Sequence, residues 1–144
     1  MAVAMGQAAE QTNRLLLRAR DTMDRHYAKP LDVPALARVA LMSEAHFIRE
    51  FGAAFGETPH RYLQRRRVER AMFLLTQTDL PIMDVCLDVG FTSLGTFGRT
   101  FRDIVGKTPT QFRQGNSPER VPLCFTMTWK RPSSFGEAAA KEQK

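Results

Sequence analysis

The chain has 144 residues, a formal net charge of +6 and a hydrophobic fraction of 43%. That is room for one ordinary domain, or for two very small ones sharing a brace, with enough apolar residues for packed cores. The positive balance favours an acidic polymer or an anionic surface as partner. Two cysteines, Cys86 and Cys124, exclude a disulfide framework, and no Cys or His cluster has metal-ligand spacing, so neither metal nor cofactor is expected.

In chain order, "MAVAMGQAAEQTN" lacks the basic n-region and continuous apolar core of a secretory signal. Nowhere do apolar residues run long enough to span a bilayer, and the expectation is a soluble, cytoplasmic protein with no membrane partner. From about Thr12 to Tyr27, Leu16, Ala19, Met23 and Tyr27 recur at helical spacing opposite Arg18, Asp21, Asp24 and Arg25, which predicts an amphipathic first helix. Asp32 is placed as the N-cap of a second helix with Pro34 in its first turn and Leu36, Ala37 and Ala40 as its stripe. A tight break at residues 41–43 follows, with Ser43 capping a third helix. Phe47, Phe51 and Phe55 share one face of that helix, and Gly56 ends it in the left-handed conformation.

Thr58 and Pro59 then open what should be the longest helix, running to about residue 78. Tyr62 and Leu63 near its start, and Val68, Ala71, Leu74 and Leu75 near its end, let its two ends serve two cores. At about 1.5 Å per residue it would measure roughly 30 Å.

Beyond it the plan repeats. Leu80, Ile82, Val85, Cys86 and Val89 match Leu31, Val33, Leu36, Ala37 and Ala40; Phe91 matches Met42, and Thr92 matches Ser43. With one extra residue admitted, Phe97, Arg99, Phe101, Gly106, Thr108, Pro109 and Gln114 fall on Phe47, Arg49, Phe51, Gly56, Thr58, Pro59 and Gln64. Caps, terminators and apolar positions coincide together, which a duplicated helix-turn-helix unit explains far better than chance. After Gln114, "GNSPERVP" is a linker by composition and "LCFTMTWK" alternates Leu123, Phe125, Met127 and Trp129 with polar residues at strand period. A lone strand has no pairing partner, so this segment is expected to lie extended against the helical body, as a strap in preference to a partner-docking segment, with a frayed end. The fold expected is all-α: residues 1–57 hold an N-terminal arm, first helix and first helix-turn-helix subdomain, 58–78 the linker helix, 79–114 the second subdomain, and 115–144 a C-terminal extension.

The second helix of such a unit buries one face and frees the other, and is slim enough for a major groove about 12 Å wide. With Phe47 and Phe51, or Phe97 and Phe101, turned inward, the free faces carry Ser43, Glu44, Ala45, His46 and Arg49 in one copy. In the other they carry Thr92, Ser93, Leu94, Gly95, Thr96, Gly98 and Arg99. Arg49 and Arg99 each follow a buried Phe by two positions and so point away from the core, where arginine can meet guanine O6 and N7. Arg61, Arg65, Arg66, Arg67 and Arg70 on the brace are candidates for phosphate contact or for pairing with acidic side chains, and Arg102, Lys107 and Thr108 are further phosphate candidates. A stiff helix between two heads would hold them about one DNA turn, roughly 34 Å, apart.

"VGFTSLGTFGRTFRDIVGKTPTQFR" resembles the signature of the AraC/XylS transcription regulators, and "LARVALMSEAHFIREF" resembles their first helix-turn-helix. The resemblance covers roughly Ala19 to Arg113. It implies two helix-turn-helix subdomains joined by a helix, binding double-stranded promoter DNA and regulating transcription, often through contact with RNA polymerase. Most members carry an upstream effector or dimerisation domain, for which this chain has no room. It is therefore more similar to the short MarA/SoxS-type regulators or is an excised domain. Two reading heads in one chain imply a monomer on DNA.

Ala45, Leu94 and Gly95 depart from the larger or polar groups that family often shows, and Gly95 and Gly98 each weaken their helix by about 1 kcal/mol relative to Ala. His26, His46 and His60 are isolated and read as surface or core residues, with His46 also within a DNA-facing stretch. The alternative function is a helical protein-interaction module docking on RNA polymerase or another regulator. No enzyme is expected: the sequence has no Gly-rich phosphate loop, no convergent acid-base pair and no nucleophile with a positioned base.

Overall fold

In the computed structural model, residues 2–116 are described. Seven helices follow one another: α1 (Ala2–His26), α2 (Val33–Val39), α3 (Glu44–Phe55), α4 (Pro59–Gln77), α5 (Ile82–Asp88), α6 (Leu94–Val105) and α7 (Pro109–Gly115). Among the described residues there is no strand, and the architecture is all-α. The apolar segment 123–130 and the proposed strap lie outside the described residues. The chain divides into two compact units at Arg66 and Arg67, within α4.

In the first unit α1, α2 and α3 pack on one another. Their core is Leu16, Ala19 and Met23 from α1, Leu36 and Ala37 from α2 with Ala40 just after it, Phe47 and Phe51 from α3, and Tyr62 and Leu63 from α4. The four-residue spacing of the phenylalanines stacks their rings down one face of α3: Phe47 to Phe51 is 5.6 Å and Phe51 to Phe55 is 4.6 Å between centroids. Tyr62 meets Phe51 edge-on at 5.7 Å. Phe47 is fully buried, and truncating such a ring to alanine costs about 3–5 kcal/mol.

The second unit repeats this packing. Phe97 and Phe101 are 5.8 Å apart, and Phe112 meets Phe101 edge-on at 5.5 Å, as Tyr62 meets Phe51. Val68, Ala71 and Leu75 of α4, with Val85, Cys86 and Val89, are buried in it. Burial pushes the Cys86 thiol pKa up, which suits a small packed residue and disfavours a reactive thiolate. Arg113 of α7 donates to the carbonyls of Leu75 (3.1 Å) and Thr78 (3.4 Å), covering acceptors that the end of α4 leaves open.

Three expectations are corrected. The longest helix is α1, with 25 residues against 19 in α4. It begins at Ala2: apart from Val3 and Gly6, residues 2–11 are Ala, Met, Gln and Glu, good helix formers, and no proline interrupts them. The helix expected to begin near Leu80 begins at Ile82, with Pro81 in the cap position and no side-chain cap bond; the backbone N–H of Leu80 is taken by the Thr78 hydroxyl at 3.4 Å. The third correction concerns the second turn, where the capping residue of α6 is Ser93 and not Thr92.

Candidate nucleic-acid interface

Each helix-turn-helix is built by the same local chemistry. α2 and α5 end in one hydrogen-bonding pattern: Met42 N–H donates to Ala37 O (2.9 Å) and Leu41 N–H to Arg38 O (3.1 Å), while Phe91 donates to Cys86 (3.0 Å) and Gly90 to Leu87 (3.1 Å). This Schellman pattern requires a left-handed residue just past the helix. Gly90 supplies it at φ 100, whereas the first unit uses Leu41 at φ 57. Leucine at positive φ is costly, and the sequence gives no local sign of it.

The turn then delivers a serine cap. Ser43 Oγ accepts from His46 N at 3.2 Å, and Ser93 Oγ accepts from Thr96 N at 3.1 Å. The extra residue of the second copy therefore lies before the cap. Thr92 sits in the turn, exposed, and aligns with no capping role. α3 and α6 both end on left-handed glycines, Gly56 (φ 78) and Gly106 (φ 89). Thr58 and Thr108 then cap the following helices at 3.1 Å each, onto Arg61 N and Gln111 N. At Thr108 the box is reciprocal: its own N–H donates to Gln111 Oε1 at 3.0 Å. The capping box uses the N–H groups of Thr108 and Gln111 and Pro109 has none, which leaves the Thr108 hydroxyl hydrogen and the N–H of exposed Thr110 for an anion.

With the phenylalanines inward, Ser43, Glu44, Ala45, His46 and Arg49 are all exposed along the outer side of α3. So are Thr92, Ser93, Leu94, Gly95, Thr96 and Arg99 in the second unit. His46 Nε2 lies 3.5 Å from Glu50 Oε1. Arg49, Arg99, Arg102 and Lys107 are exposed with no carboxylate within ion-pair distance among the described residues. With no such partner among the described residues, these four cations are available to an external anion. α6 holds its twelve residues as helix despite Gly95 and Gly98.

The brace arginines divide differently. Arg66 is only 5% exposed, and its Nε lies 3.3 Å from Asp24 Oδ1. As a phosphate contact it is corrected: a buried guanidinium beside a buried carboxylate takes the other role open to it, pairing within the protein. Tyr62 Oη also donates to Asp24 Oδ1, at 2.8 Å. Burial raises the Asp24 pKa, opposed by that hydrogen bond and by the Arg66 charge; burial and the nearby carboxylate raise Tyr62 too. Arg65 is tied by two nitrogens to Glu57, at 2.7 and 3.0 Å from Oε1, and lies over the Tyr62 ring. Arg67 lies over Phe91 at 5.9 Å, and burial lowers its pKa. Arg61 is half-buried.

One outward residue escaped sequence reasoning. Ile48 reads as another apolar residue of α3, yet it is 40% exposed beside Arg49. Its position on the helix, one step past the inward Phe47, was the available signal. Among the described residues no group of three or more His, Cys, Asp or Glu is placed to hold a metal, and no helix is long and apolar enough to cross a membrane.

Two capped helices, each presented by a short turn from a small aromatic core with its outer face free, define a tandem helix-turn-helix protein. The family model described as a helix-turn-helix domain matches residues 36–115, more than half of the chain, and the chain belongs to that family in its AraC type. The chain is 35% identical over 98 residues to an uncharacterized HTH-type transcriptional regulator of Staphylococcus aureus (strain COL), covering 68% of this chain and 13% of that one. It is 30% identical over 104 residues to the probable transcriptional regulator LumQ of Photobacterium leiognathi, covering 72% and 41%. The chain thus spans well under half the length of these two relatives. Among solved structures it resembles the DNA-binding domain of AdpA, a global transcriptional factor, in complex with a target DNA: 30% identity, TM-score 0.67, 69% of this chain and 90% of that one. It also resembles an AraC-type regulator from Chromobacterium violaceum, with 29% identity, TM-score 0.65, and coverage of 71% and 91%.

Proposed function

We propose that this chain is a sequence-specific, double-stranded-DNA-binding transcription regulator in which α3 and α6 each enter a major-groove segment. The observation that carries the reading is the pair of outward arginines, Arg49 and Arg99. Each stands at the same step of a serine-capped helix, exposed and without an ion pair among the described residues. The solved AdpA domain, similar over 69% of this chain, is bound to a target DNA. Ser43, Glu44, Ala45, His46 and Arg49, with Ser93, Leu94, Gly95, Thr96 and Arg99, are the base-facing set. Arg102, Lys107 and Thr108 serve the phosphates, joined by Arg61, and Thr92 borders the second head from the turn. Two heads in one chain let a monomer occupy the site, in the cytoplasm where promoter DNA lies. Selection of bound duplexes from a random pool at moderate salt tests this reading: one narrow motif supports it, and no enrichment ends it.

A second reading, docking on RNA polymerase or another regulator, draws on α5. Met83 and Leu87 are 47% and 54% exposed there, beside the exposed carboxylates Asp84 and Asp88. An acidic, apolar face is ill suited to phosphate and suited to a basic protein surface. Pull-down of polymerase that survives nuclease treatment and is lost on Leu87→Lys supports it.

A further inference from the structure

The duplication allows residues the fold needs to be separated from residues it does not. Phe47 and Phe97, Phe51 and Phe101, Ser43 and Ser93, Gly56 and Gly106 are pairs that keep both identity and role. Past these serine caps, the only outer-face residue that α3 and α6 share is Arg49 with Arg99. The position of Ile48 is held in α6 by Gly98, and α6 is as long as α3 and equally capped. A branched apolar side chain at this step is therefore not a requirement of the unit. In α3 it is 40% exposed, while Phe47 beside it is fully buried. Of the residues one turn away, Ala45 and Gly52 are small, Phe51 is turned into the core and Glu44 is exposed, so Ile48 is accessible beside Arg49 with no large apolar neighbour covering it.

Resting on the DNA-binding reading above, we infer that Ile48 packs on the C5-methyl group of a thymine in the half-site read by α3, and that the half-site read by α6 lacks this discrimination. In the major groove only thymine presents an apolar group among its edge atoms, and apolar side chains meet it there. The adjacent Arg49 takes guanine, so the first head reads a guanine with a thymine close by. The second keeps the arginine and replaces the apolar reader with glycine. The two half-sites are therefore unlike in sequence, sharing the arginine-read guanine.

The test uses the full chain and the duplex recovered by selection. Each thymine is replaced in turn by deoxyuridine, which removes only the methyl group, and affinity is read by fluorescence anisotropy for wild type and Ile48→Ala. Wild type should lose about fourfold at one thymine of one half-site, the size expected for one buried methyl group. Ile48→Ala should bind the thymine duplex about as weakly and be indifferent to the uracil there. Gly98→Ile, at a position where a Cβ meets nothing within 4 Å, should gain a thymine preference in the other half-site when selection is repeated. If uracil costs nothing at every thymine, or the cost persists undiminished in Ile48→Ala, the inference is overturned while the motif itself still stands. If no motif is recovered at all, the DNA-binding reading has failed and the inference falls with it. Ile48 is surface-exposed, so retained helical circular dichroism and thermal midpoint in Ile48→Ala separate a lost contact from a lost fold.

Discussion

Replacing Tyr62 with Phe should destabilise the first unit by about 1.5–3 kcal/mol near pH 7, the range for a hydrogen bond to a charged partner. The perturbation is narrow. The ring keeps its edge-on contact with Phe51, and only the hydroxyl that donates 2.8 Å to Asp24 is removed. Asp24 is 6% exposed, so water cannot readily replace the lost donor, and the carboxylate is left to the charges of Arg66, 3.3 Å away, and of Arg20. The pH dependence carries a sign. Burial already raises the Asp24 pKa above 3.8, and the Tyr62 bond opposes that rise. A raised folded-state pKa means that the stability linked to Asp24 is fully present below the unfolded value and is lost as pH climbs through the folded one. Without the Tyr62 donor the folded pKa rises further and that loss grows. The deficit of Tyr62→Phe should therefore be largest near neutral pH and shrink to about 1 kcal/mol, a neutral hydrogen bond, once Asp24 is protonated in both states. Urea unfolding followed by circular dichroism at several pH values measures it. A deficit below about 0.5 kcal/mol, or one that grows on acidification, would refute a buried carboxylate held by this donor.

Arg49→Ala should weaken binding to the selected duplex by about 1–3 kcal/mol and relax preference at one position, measured by titration against single-base variants. Arg102→Ala should instead weaken all duplexes alike and lower the slope of log affinity against log salt by about one, read from titrations at several salt concentrations. Ser93→Ala should cost about 1 kcal/mol of stability through loss of the cap bond to Thr96, whereas Thr92→Ala should be close to neutral in the same thermal or urea melt.

The helices, caps and terminators were legible because they depend on near neighbours. Ser43, Gly56, Thr58 and Thr108 act within one turn of their own positions, and the phenylalanines mark the inward face by spacing alone. What escaped depends on partners distant in sequence. Arg66 sits among basic residues that read as one solvated run, and only the approach of α1 brings Asp24 to it. Arg65 and Arg66 are adjacent, yet one meets Glu57 near the surface and the other is sealed, a difference set by which side of α4 faces the α1 core. The position of the inserted residue was ambiguous for another reason. Thr92 and Ser93 are both acceptable caps, and only the N–H geometry of the first turn of α6 chooses between them.

Two copies of one unit in a single chain amount to an internal control on what each residue is for. Where both copies keep a residue and bury it or use it as a cap, the cause is packing or hydrogen bonding, and the same demand is met twice. The exception at the turn shows how far that demand can bend: Gly90 meets the left-handed position without strain, while Leu41 meets it with a β-carbon in place and its side chain 75% exposed. The Schellman bonds around Leu41 match those around Gly90, so the bonding pattern and the apolar residue that follows it, Met42 or Phe91, dictate the backbone, and the residue at its apex yields. On the outer faces no such pattern dictates anything. There Glu44 faces Leu94 in the alignment of the units, His46 faces Thr96, Ile48 faces Gly98, and beyond the capping serines the side chain kept is an arginine. A fold that specifies its interior twice and leaves its exterior to differ is free to meet two unlike stretches of DNA, and on the reading proposed above the retained arginine is what would give those stretches a feature in common.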